Sequence, residues 1–222
     1  MYSSKKGFTL AEVLITLLVI GVVASMFVPA IINDTNETEY NQGIKKVFAD
    51  LSNAIKMIQV NNGGVVNVGN GNHLAFRNDF CSVMTCVKTD TVANIFCPTN
   101  YKYYKGGFSN SPTCSDVPAA ILSNGLIMNF LSYTGCNNYG VNACGFIHVD
   151  INGKKGPNMF GKDFYSFWVV RPNSNSNYLI LPYGTQHDTY VPLPNGCQAN
   201  SSALSTSEGC TTQRLYNPNN MP

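Results

Sequence analysis

Apolar residues are spread unevenly along the 222 positions of the chain. From Phe8 to Ile32 they run almost unbroken, 25 residues with a single formal charge at Glu12. A helix of that length extends about 38 Å, enough to span a bilayer. Asn33 to Glu39 is polar, so the helix leaves the membrane there. Apolar side chains then recur at helical spacing: Tyr40, Ile44, Val47, Phe48, Leu51, Ile55 and Ile58. Lys45, Lys46, Asp50, Asn53 and Lys56 fall mostly off that stripe. Asn61-Asn62-Gly63-Gly64 supplies a stop. The pattern predicts one continuous helix from about Phe8 to Val60, with an apolar first half and an amphipathic second half.

Beyond that stop the pattern changes period. Gly63 to Asn72 reads as loop, and residues 63–114 suggest only short helical or irregular pieces, around Leu74–Val87 and Thr91–Phe96. Val117–Leu122 reads as a helical or extended lead-in to the turn Ser123-Asn124-Gly125. Strands are predicted at Leu126–Ser132, Gly145–Ile151, Phe164–Val170 and Tyr178–Leu181, the last ended by Pro182. The strongest, Phe164–Val170, places Phe164, Ser166, Trp168 and Val170 on one face and Tyr165, Phe167 and Val169 on the other. Short successive connections favour an antiparallel meander. The amphipathic helix would bury its stripe against one face, an α+β head. The expected organisation is therefore a leader over 1–7, a membrane segment over 8–32, the amphipathic helix over 33–62, and a β-sheet head with a C-terminal loop over 63–222.

The N-terminal chemistry is unusual. Lys5 and Lys6 precede the apolar run and favour keeping the N-terminus in the cytoplasm. A secretory signal places its cleavage site after the apolar region and discards that region. Here the small residue suited to a peptidase, Gly7, comes before it, so cleavage would retain the helix. Glu12 within the apolar run costs roughly 2.5–3.5 kcal/mol on insertion scales and needs a partner. A cut after Gly7 would create a cationic α-amino group on Phe8. A neighbouring copy shifted by about one helical turn could bring that amine to Glu12.

Gly7, Phe8, Thr9, Leu10 and Glu12 together resemble the prepilin cleavage and methylation signature of type IV pilins and type II secretion pseudopilins. The resemblance implies a membrane-embedded prepilin peptidase that cuts between Gly7 and Phe8 and methylates the new amine. It implies that Glu12 pairs with such an amine during assembly, and Gly21 and Pro29 fall where many members carry Gly and Pro. The partners it implies are copies of the chain and related pilins, the peptidase, an inner-membrane assembly platform and membrane lipid. The localisation it implies is a single-pass inner-membrane protein with its head outside, later incorporated into a pilus or pseudopilus. No enzymatic activity and no cofactor are expected, calcium excepted. A tethered extracytoplasmic binding protein or adhesin that never polymerises is the alternative.

Composition agrees with an exported head. Charged residues make up 12% of the chain, and removal of Lys5 and Lys6 leaves 12 basic and 12 acidic side chains. Nothing in that balance argues for nucleic acid as a partner. All eight cysteines lie beyond the membrane segment, as expected of disulfides formed in an oxidising compartment. Eight cysteines allow 105 pairings. Pairing of neighbours is the simplest: Cys81–Cys86, Cys97–Cys114, Cys136–Cys144 and Cys197–Cys210. A zinc cluster is the rival, but there is no C-x-x-C and His73, His148 and His187 are scattered. Tyr101, Tyr103, Tyr104 and Phe108 form an aromatic cluster suited to recognition or, more ordinarily, to partial burial.

One further stretch carries chemistry. Between two predicted strands, Asp150, Asn152, Asn158 and Asp163 offer carboxylate and amide oxygens of the kind Ca²⁺ takes. The opening D-x-N-G resembles an EF-hand start, although the terminal bidentate Glu is missing and Lys154 and Lys155 intervene. The segment is also similar to the sheet loop of major pseudopilins, where the family implies calcium. The bland alternative is a turn in which Asp and Asn side chains bond local amides. No G-x-S-x-G, H-E-x-x-H or P-loop is present, and His148 sits inside a predicted strand.

Overall fold

The computed structural model describes residues 7–95, 101–102, 108–109, 117–185, 197, 209–218 and 221. The chain divides into two compact units, Met1–Glu39 and Tyr40–Pro222. Helix α1 (Leu10–Asn61) contributes to both.

In the first unit, Leu10–Pro29 is a 20-residue apolar stretch, long and apolar enough to cross a membrane, with none of it buried within the chain. Its hydroxyls are satisfied internally: Thr16 Oγ1 donates to Val13 O (2.9 Å) and Ser25 Oγ to Val22 O (2.7 Å). Such back-bonding removes polar hydrogens that lipid could not solvate. The helix continues through Pro29.

In the second unit the expected stripe is buried. Tyr40, Ile44, Val47, Leu51, Ile55 and Ile58 all lie in the core, and Phe48 stacks on Phe167 with centroids 6.2 Å apart. The helix ends where Asn62 N bonds Ile58 O and Gly64 N bonds Gln59 O, with Gly63 and Gly64 at positive φ. Buried Gln59 then fixes the far side of the sheet, accepting from Tyr178 N (2.7 Å) and donating to Tyr178 O (3.2 Å).

The stripe faces a six-stranded antiparallel sheet in the order β1-β4-β5-β6-β7-β8. Its strands are β1 (Cys86–Thr91), β4 (Pro118–Leu122), β5 (Ile127–Ser132), β6 (Ala143–Asp150), β7 (Phe164–Val170) and β8 (Leu179–Pro182). A separate two-stranded ladder pairs β2 (Tyr101–Lys102) with β3 (Phe108–Ser109). The α+β class and the antiparallel head are thus as the hydrophobic pattern predicts. Phe130, Ile147, Val149, Tyr165, Phe167 and Val169 meet the α1 stripe in one core. The opposite face carries Phe164 in one smaller cluster and Trp168 with Val170 in another. Every residue of β7 is buried, because the sheet is covered on both sides there.

Several elements depart from the expected pattern. The segment read as irregular around Leu74–Val87 splits into helix α2 (His73–Val83) and strand β1. Asn72 caps α2 by accepting from Ala75 N (2.9 Å), and Phe76 and Phe80 pack edge-on or tilted against Phe130. Strand β1 was illegible because it is an edge strand with exposed Val87, Lys88 and Thr89, so no alternation of apolar residues marks it. The 91–96 piece reduces to a single turn, α3 (Val92–Ile95). The lead-in at 117–122 takes its extended option as β4. Pro182 is the last residue of β8, so the strand ends there as expected, and the edge position tolerates its missing N–H. Gly145 sits at a register shift in β6, where an added Cβ would overlap Leu131 O and Val68.

The cysteines pair as Cys81–Cys86, Cys136–Cys144 and Cys197–Cys210. Cys97 and Cys114 lie outside the described residues, as do Tyr103, Tyr104 and most of the C-terminal loop. After that loop comes a short helix absent from the pattern analysis, α4 (Cys210–Tyr216).

Because Phe130 joins α2 to the sheet, truncation there tests the core directly. Phe130→Ala should cost about 3–5 kcal/mol in urea unfolding of the detergent-solubilised chain. A loss under about 1 kcal/mol would mean the packing described is not what holds the head together.

Candidate functional site

Two groups of residues carry chemistry, one at the start of α1 and one in the head. At the N-terminus, α1 begins at Leu10, directly after Thr9. Glu12 N donates to Thr9 Oγ1 (3.2 Å), while Glu12 Oε2 accepts from both Thr9 N and Thr9 Oγ1, each at 2.8 Å. This is a reciprocal capping box. It answers, within one chain, how an acid can stand at the head of an apolar helix. The acid serves orphan donors of the first turn and lies where the helix dipole favours negative charge. Two donors converge on Oε2, and none among the described residues reaches Oε1. Thr9 was missed as a functional residue by pattern reading. The signal was present as Thr9-Leu10-Ala11-Glu12, an S/T-x-x-E box ahead of an apolar run. Gly7 and Phe8 precede the helix and are exposed, and a Cβ placed on Gly21 would meet nothing within 4 Å among the described residues beyond its own stretch of helix.

In the head, the 151–163 connection between β6 and β7 brings Asp150, Asn152, Asn158 and Asp163 together. Asp150 and Asp163 are fully buried. Asp163 accepts three hydrogen bonds: Oδ1 from Met159 N (2.6 Å), and Oδ2 from Asn158 N (2.7 Å) and Asn152 Nδ2 (3.2 Å). Asn152 Nδ2 also donates to Gly156 O (3.2 Å). Those two acceptors settle which way the amide points. Asn152 N donates in turn to Asp150 Oδ1 (3.2 Å). Backbone carbonyls of the loop are occupied too, Asp163 O by Ile151 N and Met159 O by the amides of residues 162–164.

After this accounting three buried oxygens have no hydrogen-bond donor: Asp150 Oδ2, Asn152 Oδ1 and Asn158 Oδ1. Each unsatisfied buried polar atom costs on the order of 1–3 kcal/mol, and three in one loop call for a common partner. All are hard oxygen donors of the kind a divalent cation such as Ca²⁺ takes. Among the described residues no cluster of three His, Cys, Asp or Glu occurs, so amide oxygens must complete any such set. Lys154 and Lys155 are exposed. His148, in β6, sits among the rings of Phe146, Phe160 and Phe164.

Burial, and then the neighbouring Asp163 charge, push the Asp150 carboxyl up to about 8. Burial also raises Asp163, against the opposing pull of its N–H donors. Residues 2–28 of the chain match a family model described as the prokaryotic N-terminal methylation motif, a type IV pilin-like signature. No curated protein and no solved structure matches the chain.

The raised Asp150 value has a sign that can be tested. The folded state holds this proton more tightly than the unfolded chain, whose carboxyl titrates near its ordinary value. The stabilisation is complete at low pH and is lost as pH rises through about 8. In chelator, the thermal midpoint should therefore fall between pH 5 and pH 8, and Asp150→Asn should flatten that slope. An unchanged slope in the variant would assign it to other groups.

Proposed function

We propose that this chain is a structural subunit of a type IV pilus-like filament, of the type II secretion pseudopilin kind, processed by a prepilin peptidase. What carries the reading is one coincidence. The methylation motif over residues 2–28 overlaps an apolar helix that is exposed among the described residues and headed by a carboxylate. Apolar surface on that scale requires lipid or other helices around it. In the membrane lipid takes that role, and in a filament the same segments from other copies do. Cleavage between Gly7 and Phe8 would place a cationic amine on the residue directly before Thr9, where the capping box starts. Glu12 Oε1 then remains to receive the methylated amine of a neighbouring copy while Oε2 keeps its Thr9 bonds.

The preference for the secretion branch rests on the 150–163 loop. The reading assigns it a calcium ion held by Asp150 Oδ2, Asn152 Oδ1 and Asn158 Oδ1, with Asp163 organising the loop around them. Bound calcium would supply the positive charge that lets Asp150 ionise without cost to the fold. The head resides outside the inner membrane, where such an ion is available and disulfides form.

Two measurements test these parts separately. Mass spectrometry of the mature protein should find N-methyl-phenylalanine from position 8 as its first residue, and Glu12→Leu should abolish filament formation while leaving membrane insertion intact. Recovery of protein beginning at Met1, or filaments formed by the Leu variant, would end the filament reading. For the loop, calcium should raise the thermal midpoint by several degrees over EDTA, and identical midpoints would remove the ion.

A further inference from the structure

The calcium reading leaves unexplained why a short C-terminal helix buries an arginine beside the same loop. Arg214, on α4, is fully buried. Its Nε donates to Gly161 O (3.0 Å), and its Nη1 donates to Asn41 Oδ1 on α1 (3.0 Å). The helix that carries it is held in three ways. The Cys197–Cys210 disulfide closes its first residue, Thr211 Oγ1 accepts from Ser166 N on β7 (3.0 Å), and Thr212 Oγ1 donates to Tyr183 O (2.6 Å). A guanidinium donating in two diverging directions from such a base fixes two acceptors relative to each other, as a flexible ammonium cannot.

We infer that Arg214 is a positioning residue for the cation site in the 150–163 loop, acting through Gly161. This inference rests on the calcium reading above. Gly161 lies between Met159, whose carbonyl gathers the amides of residues 162–164, and Asp163, whose carboxylate holds the amides of Asn158 and Met159. Anchoring Gly161 O therefore anchors the turn that presents Asn158 Oδ1. Tyr165 does the same for the adjacent carbonyl, its hydroxyl donating to Lys162 O. The loop has no helix or strand of its own to hold its donors, so their precision must come from outside it. Outer-shell partners of this kind are typically worth 10–100-fold in metal affinity. A 222-residue chain whose final helix is fastened to the sheet thereby gains a rigid backing for its loop.

Calcium titration of the full chain in detergent, by calorimetry and by thermal midpoint with and without the ion, tests this. The wild type is measured beside Arg214→Met, Arg214→Lys and Asn41→Ala, with Asp150→Asn as the site-deleted control. Arg214→Met should weaken calcium binding 10–100-fold and shrink the calcium-dependent rise in midpoint. Arg214→Lys should recover part of the affinity, and Asn41→Ala should lose two- to threefold. Should Arg214→Met fail to fold, the other two variants read the same effect. A lowered midpoint in EDTA with calcium affinity unchanged across the variants overturns the inference and leaves Arg214 a plain structural residue. A wild type that takes up no calcium overturns the cation reading beneath it, which is a different and distinguishable result.

Discussion

One helix has to satisfy two different surroundings, and the rest of the molecule follows from that constraint. Up to Pro29, α1 is apolar and lies exposed among the described residues. From Tyr40 the apolar positions narrow to a single stripe, and each of its main members is buried against the sheet. The hydrophobic effect drives both halves. In the second the burial is intramolecular and gives a folded head, and in the first the apolar surface stays exposed. A long helix that runs unbroken from Leu10 to Asn61 lets a single element serve both ends.

The sheet repays that arrangement by being buried on both faces. Its inner face completes the α1 core with Phe130, Ile147, Tyr165 and Phe167. Its outer face packs Trp168 between Tyr139 and Tyr183, with ring centroids 4.9 and 4.5 Å away. Burial on both faces also explains why polar side chains such as Asp150, Ser166 and Thr211 are enclosed. Where a donor exists they are bonded, as Ser166 N is to Thr211 Oγ1. In the 150–163 loop the internal donors run out, leaving Asp150 Oδ2 and the two amide oxygens over. That shortage, rather than the presence of acidic residues as such, is what distinguishes this loop from an ordinary Asx-rich turn.

The N-terminal acid shows the same accounting at a smaller scale. Glu12 spends one oxygen on Thr9 and so closes the first turn of its own helix. An acid at the head of an apolar stretch would be a liability in a lipid-embedded state without donors of its own. The capping box supplies local donors in that state. It also fixes the direction in which the carboxylate is presented.

Much of this was legible from residue order alone. The membrane segment, the stripe from Tyr40 to Ile58, the stop at Gly63-Gly64 and the alternation in β7 are local periodicities. A helix or strand displays these whether or not the fold is known. The oxygen donors of the loop could also be named from composition. Tertiary structure alone decided which of them still lacked a partner, because hydrogen-bond supply depends on neighbours distant in sequence. It also decided β1, an edge strand with no alternation to read, and α4, seven residues whose burial comes from contacts with β7 and β8 rather than from their own pattern. Arg214 is the extreme case: a charge that sequence would place in solvent is enclosed where α1 and the 150–163 loop, both distant in sequence, meet its helix.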